Sequence, residues 1–493
     1  MKKIVSFLIA FVILVTGLCA CKKQEQESTI PTSSNETTDQ IEVPYNPAID
    51  DLYYDQKEIT FLYSDFDDMS RNEFEGEMSE DSIEKAIYSR NMQIEEKFGV
   101  LLSFKTTVGA DIQTDVRNVI GTQDPTIDIY GAYAAYGLGL SVEGAFEDLN
   151  SLSYLDANNS WWNQSWNEES EYNNRLYGVV GDINNSLFLK TIATFVNQNL
   201  LTDYKNMNSS DLYSVVNSGK WTIEYMMELA KNVYDDNGMT AGERDMLDTY
   251  GLSIGQISHP AQALVQGSDF TWISKDENGT MYFDMYNGKN MNILEKVQGM
   301  FSSNEEGVYI LKGGEIPGVY YYATLFSKAH LMLTMAPMFT AENLTQTEID
   351  YFILPVPKAE ESQDRYISTS QDSHTFCAIS SMSDAKEAAG AILEYMGYIT
   401  ERDITPLYID TMYKVRYASD TETMKMFDQI VDSIEFEFAV NWQASLNYCL
   451  KTIRALAADP TQQIASSLDV ANQSCQAYLE SLIEEMDSLQ SYE

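Results

Sequence analysis

The sequence predicts an α/β protein made of more than one compact unit. Three observations carry this. The chain has 493 residues, too long for one core and suited to two or three units. Its first folded stretch reads strand, helix, strand, which implies parallel pairing with a crossover helix. Midway, Leu176–Leu201 (LYGVVGDINNSLFLKTIATFVNQNLL) sets a turn-prone centre, with Gly178, Gly181, Asp182, Asn184 and Asn185, between two apolar, β-branched arms.

Composition narrows the function. Lys and Arg total 31 against 75 Asp and Glu, a formal charge of −44. Such a surface repels phosphate backbones and anionic headgroups, which excludes nucleic-acid binding. No Lys/Arg cluster appears in the globular part, so an uncharged ligand is expected. Aromatics make up 12%, with 32 Tyr and 6 Trp. Aromatic faces over C–H patches, with carboxylates and amides taking hydroxyl protons, suit polyhydroxylated ligands.

Met1–Cys21 opens with Lys2 and Lys3 and an apolar run from Ile4 to Leu18. The run falls short of the ~20 residues of a membrane span and reads as an export signal over residues 1–20. Leu18-Cys19-Ala20-Cys21 then fits a lipobox, with Cys21 the lipidated residue. Residues 21–57 are polar and Pro/Ser/Thr-rich, a flexible tether. Three cysteines remain, Cys377, Cys449 and Cys475, an odd number that implies no complete disulfide framework.

Ile59–Tyr63 is the first strand, with Asp65 at its C-terminal end, where open sheets meet ligand. Ile83, Ile87, Ile94 and Phe98 share one helical face that Gly99 ends. Leu101–Val108 is the second strand, Asp111–Ile120 a helix and Thr126–Tyr130 the third strand, followed by Gly131–Gly139 with Tyr133 and Tyr136. Trp161 and Trp162 are adjacent; on a strand they would face opposite sides, which makes one a candidate platform. Thr191–Val196 is a buried strand. Trp221–Val233 is a helix with Thr222 as N-cap. The acidic loop from Asp235 offers Asp235, Asn237 and Glu243 as a weak calcium candidate, although Met239 and Thr240 stand where a ligand and a glycine would fall. Thr280–Phe283 is strand-like and Asn290–Phe301 helical. Tyr351–Pro357 is a strand, with Thr375–Ile379 expected as its partner. Helices are expected over Ser383–Ile399, from Thr421 to Ile434, over Gln443–Ala458, and onward from Pro460. Trp442 and Asn441 precede the penultimate helix.

These stretches together resemble the carbohydrate-type extracellular solute-binding lipoproteins of ABC importers, the maltose-binding-protein-like family 1. The resemblance lies in AIYSRNMQIEEKFGV, in the crossing LYGVVGDI, in ILPVPKAEESQDRYIST and in YKVRYASDTETM. It implies a two-lobed, type II periplasmic-binding-protein-like fold, each lobe a mixed sheet flanked by helices and joined by hinge strands. Residues 58–183 and about 370–408 would form lobe one, residues 184–369 and about 409–493 lobe two. The implied function is capture of a neutral sugar, an oligosaccharide, by a monomer tethered to the outer face of the cell membrane, with delivery to permease subunits. Trp442 and Trp162 would stack on the ligand, Asp182, Asn184 and Asp65 would accept its hydroxyls, and Tyr133 and Tyr136 would line lobe one. The resemblance implies no enzyme and no cofactor beyond the weak calcium candidate. The rivals are an extracellular glycoside hydrolase and a peptide-binding or adhesin lipoprotein. His259, His330 and His374 share no metal or triad context, and no P-loop, Rossmann or Gly-x-Ser-x-Gly pattern appears.

Overall fold

The computed structural model describes residues 45–65, 73–256, 258–312, 321–344, 347–409 and 421–490. The export signal, Cys21 and most of the tether lie outside them, as does the whole of YKVRYASD.

The expected β-α-β unit opens the first sheet. Strand β1 (Lys57–Asp65) pairs parallel with β2 (Val100–Val108), and α1 (Ser82–Phe98) connects them. Asp81 caps α1 by accepting the N–H groups of Ile83 and Glu84. Gly99 ends it at φ +60°, where an added Cβ would meet the Tyr53 ring. Helix α2 (Ile112–Thr122) leads to β3 (Ile129–Tyr133), which pairs parallel with β1. The third strand lies three residues beyond the expected Thr126–Tyr130. Asp128 explains the shift: its carboxylate takes the Thr60 N–H (2.9 Å) and the Ser383 hydroxyl (2.5 Å), so the ladder starts after it.

The second sheet holds β4 (Ile192–Asn197), β5 (Tyr234–Asp235), β6 (Thr249–Gly255), β9 (Val308–Leu311), β10 (Leu331–Pro337) and β11 (Tyr351–Leu354). Its order is β11-β4-β10-β6-β5, with β9 on β6. A hairpin, β7 (Ile273–Lys275) with β8 (Met281–Phe283), stands apart. The strand β12 (Thr375–Ile379) pairs antiparallel with β3 in the first sheet, not with β11, which pairs with β4. Residues 355–374 between them therefore carry the chain from one sheet to the other rather than round a hairpin.

Helices of the second lobe are α4 (Ile223–Ala230, capped by Thr222), α5 (Ser258–Gly267) and α6 (Gly288–Phe301). Helix α3 (Gln164–Ser170) precedes the crossing in lobe one, and α7 (Lys386–Ile399) returns there after β12. Then α8 (Thr421–Asp432) packs on β11, and α9 (Cys449–Ala458) packs on α5 and α6. The last helix, α10 (Ile464–Gln490), lies against β8 and α6. Helix α9 begins later than Gln443 because Asn447 and Tyr448 are left-handed, at φ 55° and 50°. Residues 45–56, expected as the end of the tether, are docked instead. Ile49 is fully buried, Tyr45 packs edge-on against Tyr395 (5.5 Å), and Tyr54 N–H donates to the Phe98 carbonyl.

Two crossings run side by side between the sheets. Val179 bridges Cys377, and Thr191 bridges Ser370. Asn184 pins them: its Oδ1 accepts the Gly181 N–H (3.1 Å) and its Nδ2 donates to Thr375 Oγ1 (3.0 Å). Gly181 is required there, since a Cβ would strike the Trp161 carbonyl.

Candidate ligand groove

In open α/β sheets ligands bind beyond the carboxyl ends of the strands. Here β3 ends at Tyr133 and β1 at the exposed Asp65. Tyr133 stacks on Tyr136 with ring centroids 5.1 Å apart and planes at 16°, and Tyr136 meets the edge of Tyr448 at 5.9 Å. All three rings are half-buried. Tyr448 comes from the turn before α9, so this aromatic wall joins lobe one to the C-terminal helices.

Beside the wall lies a polar network that sequence reasoning missed. Arg454 Nη1 on α9 donates to Asp372 Oδ2 (3.2 Å) and to Gln262 Oε1 of α5 (3.3 Å). Gln443 Nε2 donates to the same Asp372 oxygen (3.3 Å), and Gln262 Nε2 donates to the Ser370 carbonyl (3.1 Å). The Arg454 and Asp372 side chains are 16% and 12% exposed. Asp372 belongs to lobe one, where its carbonyl accepts the Ala135 N–H, whereas α9 and α5 pack in lobe two. The ion pair thus bridges the lobes. His259 stands near Asp372, Arg454 and Lys190, and burial first, with the two cations, lowers its pKa to about 4. His374 is likewise held neutral, at about 4, by burial, with Nδ1 2.9 Å from the Gln371 carbonyl. The available signal was an arginine beside the apolar face of a helix in a chain with few cations, and the polar run Gln371–His374. Neither says that the two meet.

The residues expected to bind ligand fall into two places. Tyr133 and Tyr136 form the wall, with Asp65 at the neighbouring strand end. Trp162, Asp182 and Asn184 instead line a cavity of about 440 Å³ beside the first crossing. Trp161 and Trp162 are both buried, at 1% and 2% exposure. The alternation argument fails because they lie in a turn with one isolated bridge, Trp162 to Gly181, and not on a strand. Trp161 packs edge-on against Tyr398 (5.8 Å), and Trp162 Nε1 donates to Glu394 Oε2 (3.1 Å). Burial raises the Glu394 carboxyl to about 7. Asp182 takes the Thr405 hydroxyl (2.6 Å), and burial raises it to about 6. Trp442, expected as a platform, is enclosed: it is 1% exposed and stacked on Phe438 at 5.8 Å. The turn before α9 swings its ring into the core and presents Tyr448 in its place.

The acidic loop is stitched to itself. Asp248 accepts the N–H groups of Gly238 (2.7 Å), Asp245 (3.0 Å) and Asn237 (3.1 Å). Asn237 Nδ2 donates to Thr249 and Asp235 accepts from Tyr204. Among the described residues no group of three or more His, Cys, Asp or Glu is placed to hold a metal ion.

Two mixed sheets and the paired crossings between them give a two-lobed fold like that of the periplasmic binding proteins. No family model matches the sequence, and no curated protein matches it. Solved structures do match in fold. An ABC substrate-binding protein of Listeria monocytogenes in complex with cycloalternan aligns with a TM-score of 0.55 at 12% identity, over 86% of this chain and 100% of that one. The GacH receptor of Streptomyces glaucescens, solved unliganded and with acarbose, aligns at 0.54 and 14% identity, over 87% and 99%. A cyclo/maltodextrin-binding protein complexed with maltotetraose aligns at 0.57 and 11% identity, over 86% and 97%.

Proposed function

We propose that this protein is the substrate-binding lipoprotein of an ABC importer, anchored through Cys21 at the outer face of the cell membrane. It holds an oligosaccharide in the groove between its lobes and passes it to permease subunits as a monomer. The observation that carries the reading is the cluster of rings and polar side chains gathered beyond β3, where the C-terminal helices meet lobe one. A tyrosine wall of Tyr133, Tyr136 and Tyr448 supplies ring faces, and the Asp372–Arg454 pair with Gln443 supplies donors and acceptors for hydroxyls. The sugar is neutral, since Asp372 already matches the charge of Arg454. Ligand between the lobes adds contacts made only when both close on it, so binding shifts the population toward closure. The fold's likeness to sugar-binding importer proteins supports the reading.

Calorimetry of the purified chain against a panel of neutral oligosaccharides and peptides tests it, with chromatography of the sugars afterwards. Saturable binding of at least one oligosaccharide, recovered intact, is the expected result. Heat only from peptides, or shortened sugars, overturns it.

A further inference from the structure

The cavity beside the first crossing has no lining residue in common with the groove network or the tyrosine wall. Its volume of about 440 Å³ lies within the ~300–1,000 Å³ of small-ligand sites. Trp162, Asp182 and Tyr408 line it from lobe one; Phe427 and Val431 line it from lobe two. Phe188 and Phe427 meet at 5.3 Å and 67°, which gives the cavity an aromatic corner.

Two polar groups point to an occupant. Among the described residues Asp182 takes only the Thr405 hydroxyl, and it lines the cavity. Asn185, 7% exposed, donates through Nδ2 to Tyr408, while its Oδ1 has no hydrogen-bond partner. A buried amide oxygen and a carboxylate oxygen left in this state are costly unless a donor reaches them. Both are acceptors, both line one cavity, and the walls between them are aromatic. A ligand with hydroxyl donors at its rim and C–H faces on its body satisfies all three features at once.

We propose that this cavity is a second binding site, for a single neutral sugar ring. Asp182 and Asn185 accept its hydroxyls, and Trp162 and the Phe188–Phe427 corner pack against its C–H faces. The site does not depend on the groove reading. Because its walls come from both sides of the crossing, its occupant and the groove ligand act on one hinge, and each changes the other's affinity by the same factor.

The test uses the full chain and four probes at millimolar concentration: D-glucose, D-galactose, D-xylose and N-acetyl-D-glucosamine. Indole NMR signals of Trp161 and Trp162, with calorimetry, report binding to wild type, Asp182→Asn, and Arg454→Met. The expected result is that at least one sugar shifts the indole signals, that Asp182→Asn weakens it roughly tenfold or more by removing a charged acceptor, and that Arg454→Met retains it. A crystal soaked with that sugar, showing a ring between Trp162 and Phe427, supports the site even where the variant folds poorly. No shift with any probe overturns the proposal, as does binding that Arg454→Met abolishes and Asp182→Asn leaves intact. Oligosaccharides titrated in the same series separate the two readings. If they fail to bind while a single sugar binds through Asp182, the groove reading falls and this site stands.

Discussion

Replacing Arg454 by Met removes the charge that pairs α9 with Asp372 of lobe one and keeps most of the apolar stem of the side chain. Asp372 then loses its guanidinium partner while its side chain remains 12% exposed. It keeps Gln443 Nε2 at 3.3 Å. Breaking a buried ion pair costs ~3–5 kcal/mol when one charge is left alone. The remaining amide and the residual exposure bring the expected loss of stability to the lower end, about 2–3 kcal/mol. Affinity should fall as well, because a hydrogen bond from a charged group to a sugar hydroxyl contributes ~1.5–3 kcal/mol. That is roughly ten- to a hundredfold in Kd. Denaturant melts read the first quantity and calorimetry with the best oligosaccharide of the panel reads the second. The double variant Arg454→Met with Asp372→Asn separates them. Removing the orphaned charge should recover most of the stability, while affinity stays low because the donor is still missing. Single-variant affinity within threefold of wild type would show that Arg454 holds the lobes and does not touch the ligand.

Four further outcomes are expected. Stability should fall as pH rises from about 6.5 to 8. Burial holds Glu394 at about 7 and Glu437 at about 8, both above the ordinary 4.5, so the folded state keeps protons that the unfolded chain releases. Below 6.5 the buried His259 and His374, both lowered to about 4, act in the opposite sense and mask the fall. Thermal melts across this range should therefore flatten in Glu394→Gln between 6.5 and 7, and an unchanged slope counts against the assignment. Tyr448→Ala should weaken oligosaccharide binding by about 1 kcal/mol through loss of a ring face, whereas Trp442→Phe, inside the core, should change melting temperature and leave Kd unaltered. Gly181→Ala should destabilise the fold by about 1–3 kcal/mol, since the Cβ meets the fixed Trp161 carbonyl and cannot be relieved by a rotamer change. Asp81→Ala should cost about 1 kcal/mol in a urea melt by uncapping α1.

The sequence was most legible where local rules act alone. The Gly99 stop, the parallel β1–β2 pairing and the Thr222 cap each follow from a few adjacent residues and stand in the structure as expected. It was less legible where a distant partner decides. Nothing near Asp128 shows that Thr60 and Ser383 will occupy its carboxylate and delay β3. Nothing in Tyr351–Pro357 shows that β4, far upstream, takes the place expected for Thr375–Ile379. The adjacent tryptophans misled for a related reason: the alternation rule holds on a strand, and the turn from Asn159 to Trp162 lets both rings turn inward.

The groove shows the same division at the level of function. Its aromatic half comes mostly from one short stretch, Tyr133 to Tyr136, and was visible as a loop after a strand. Its polar half is assembled from residues 262, 372, 443 and 454, each ordinary in its own neighbourhood. In a chain of charge −44, a mostly buried arginine is expensive unless an acid meets it. The acid that meets it stands on the other lobe. The pair therefore stabilises one arrangement of the lobes before any ligand arrives. A sugar entering between them has to insert its hydroxyls into contacts the protein already makes. Affinity then depends on the difference between protein–sugar and protein–protein hydrogen bonds, not on their sum. Asp372→Asn weakens the protein–protein term while leaving an acceptor for the sugar. It should lower stability yet change Kd far less than Arg454→Met does, and calorimetry on the two variants side by side decides the point. Equal losses of affinity would mean that both charges serve the ligand and that the interlobe pair is only a by-product of its site.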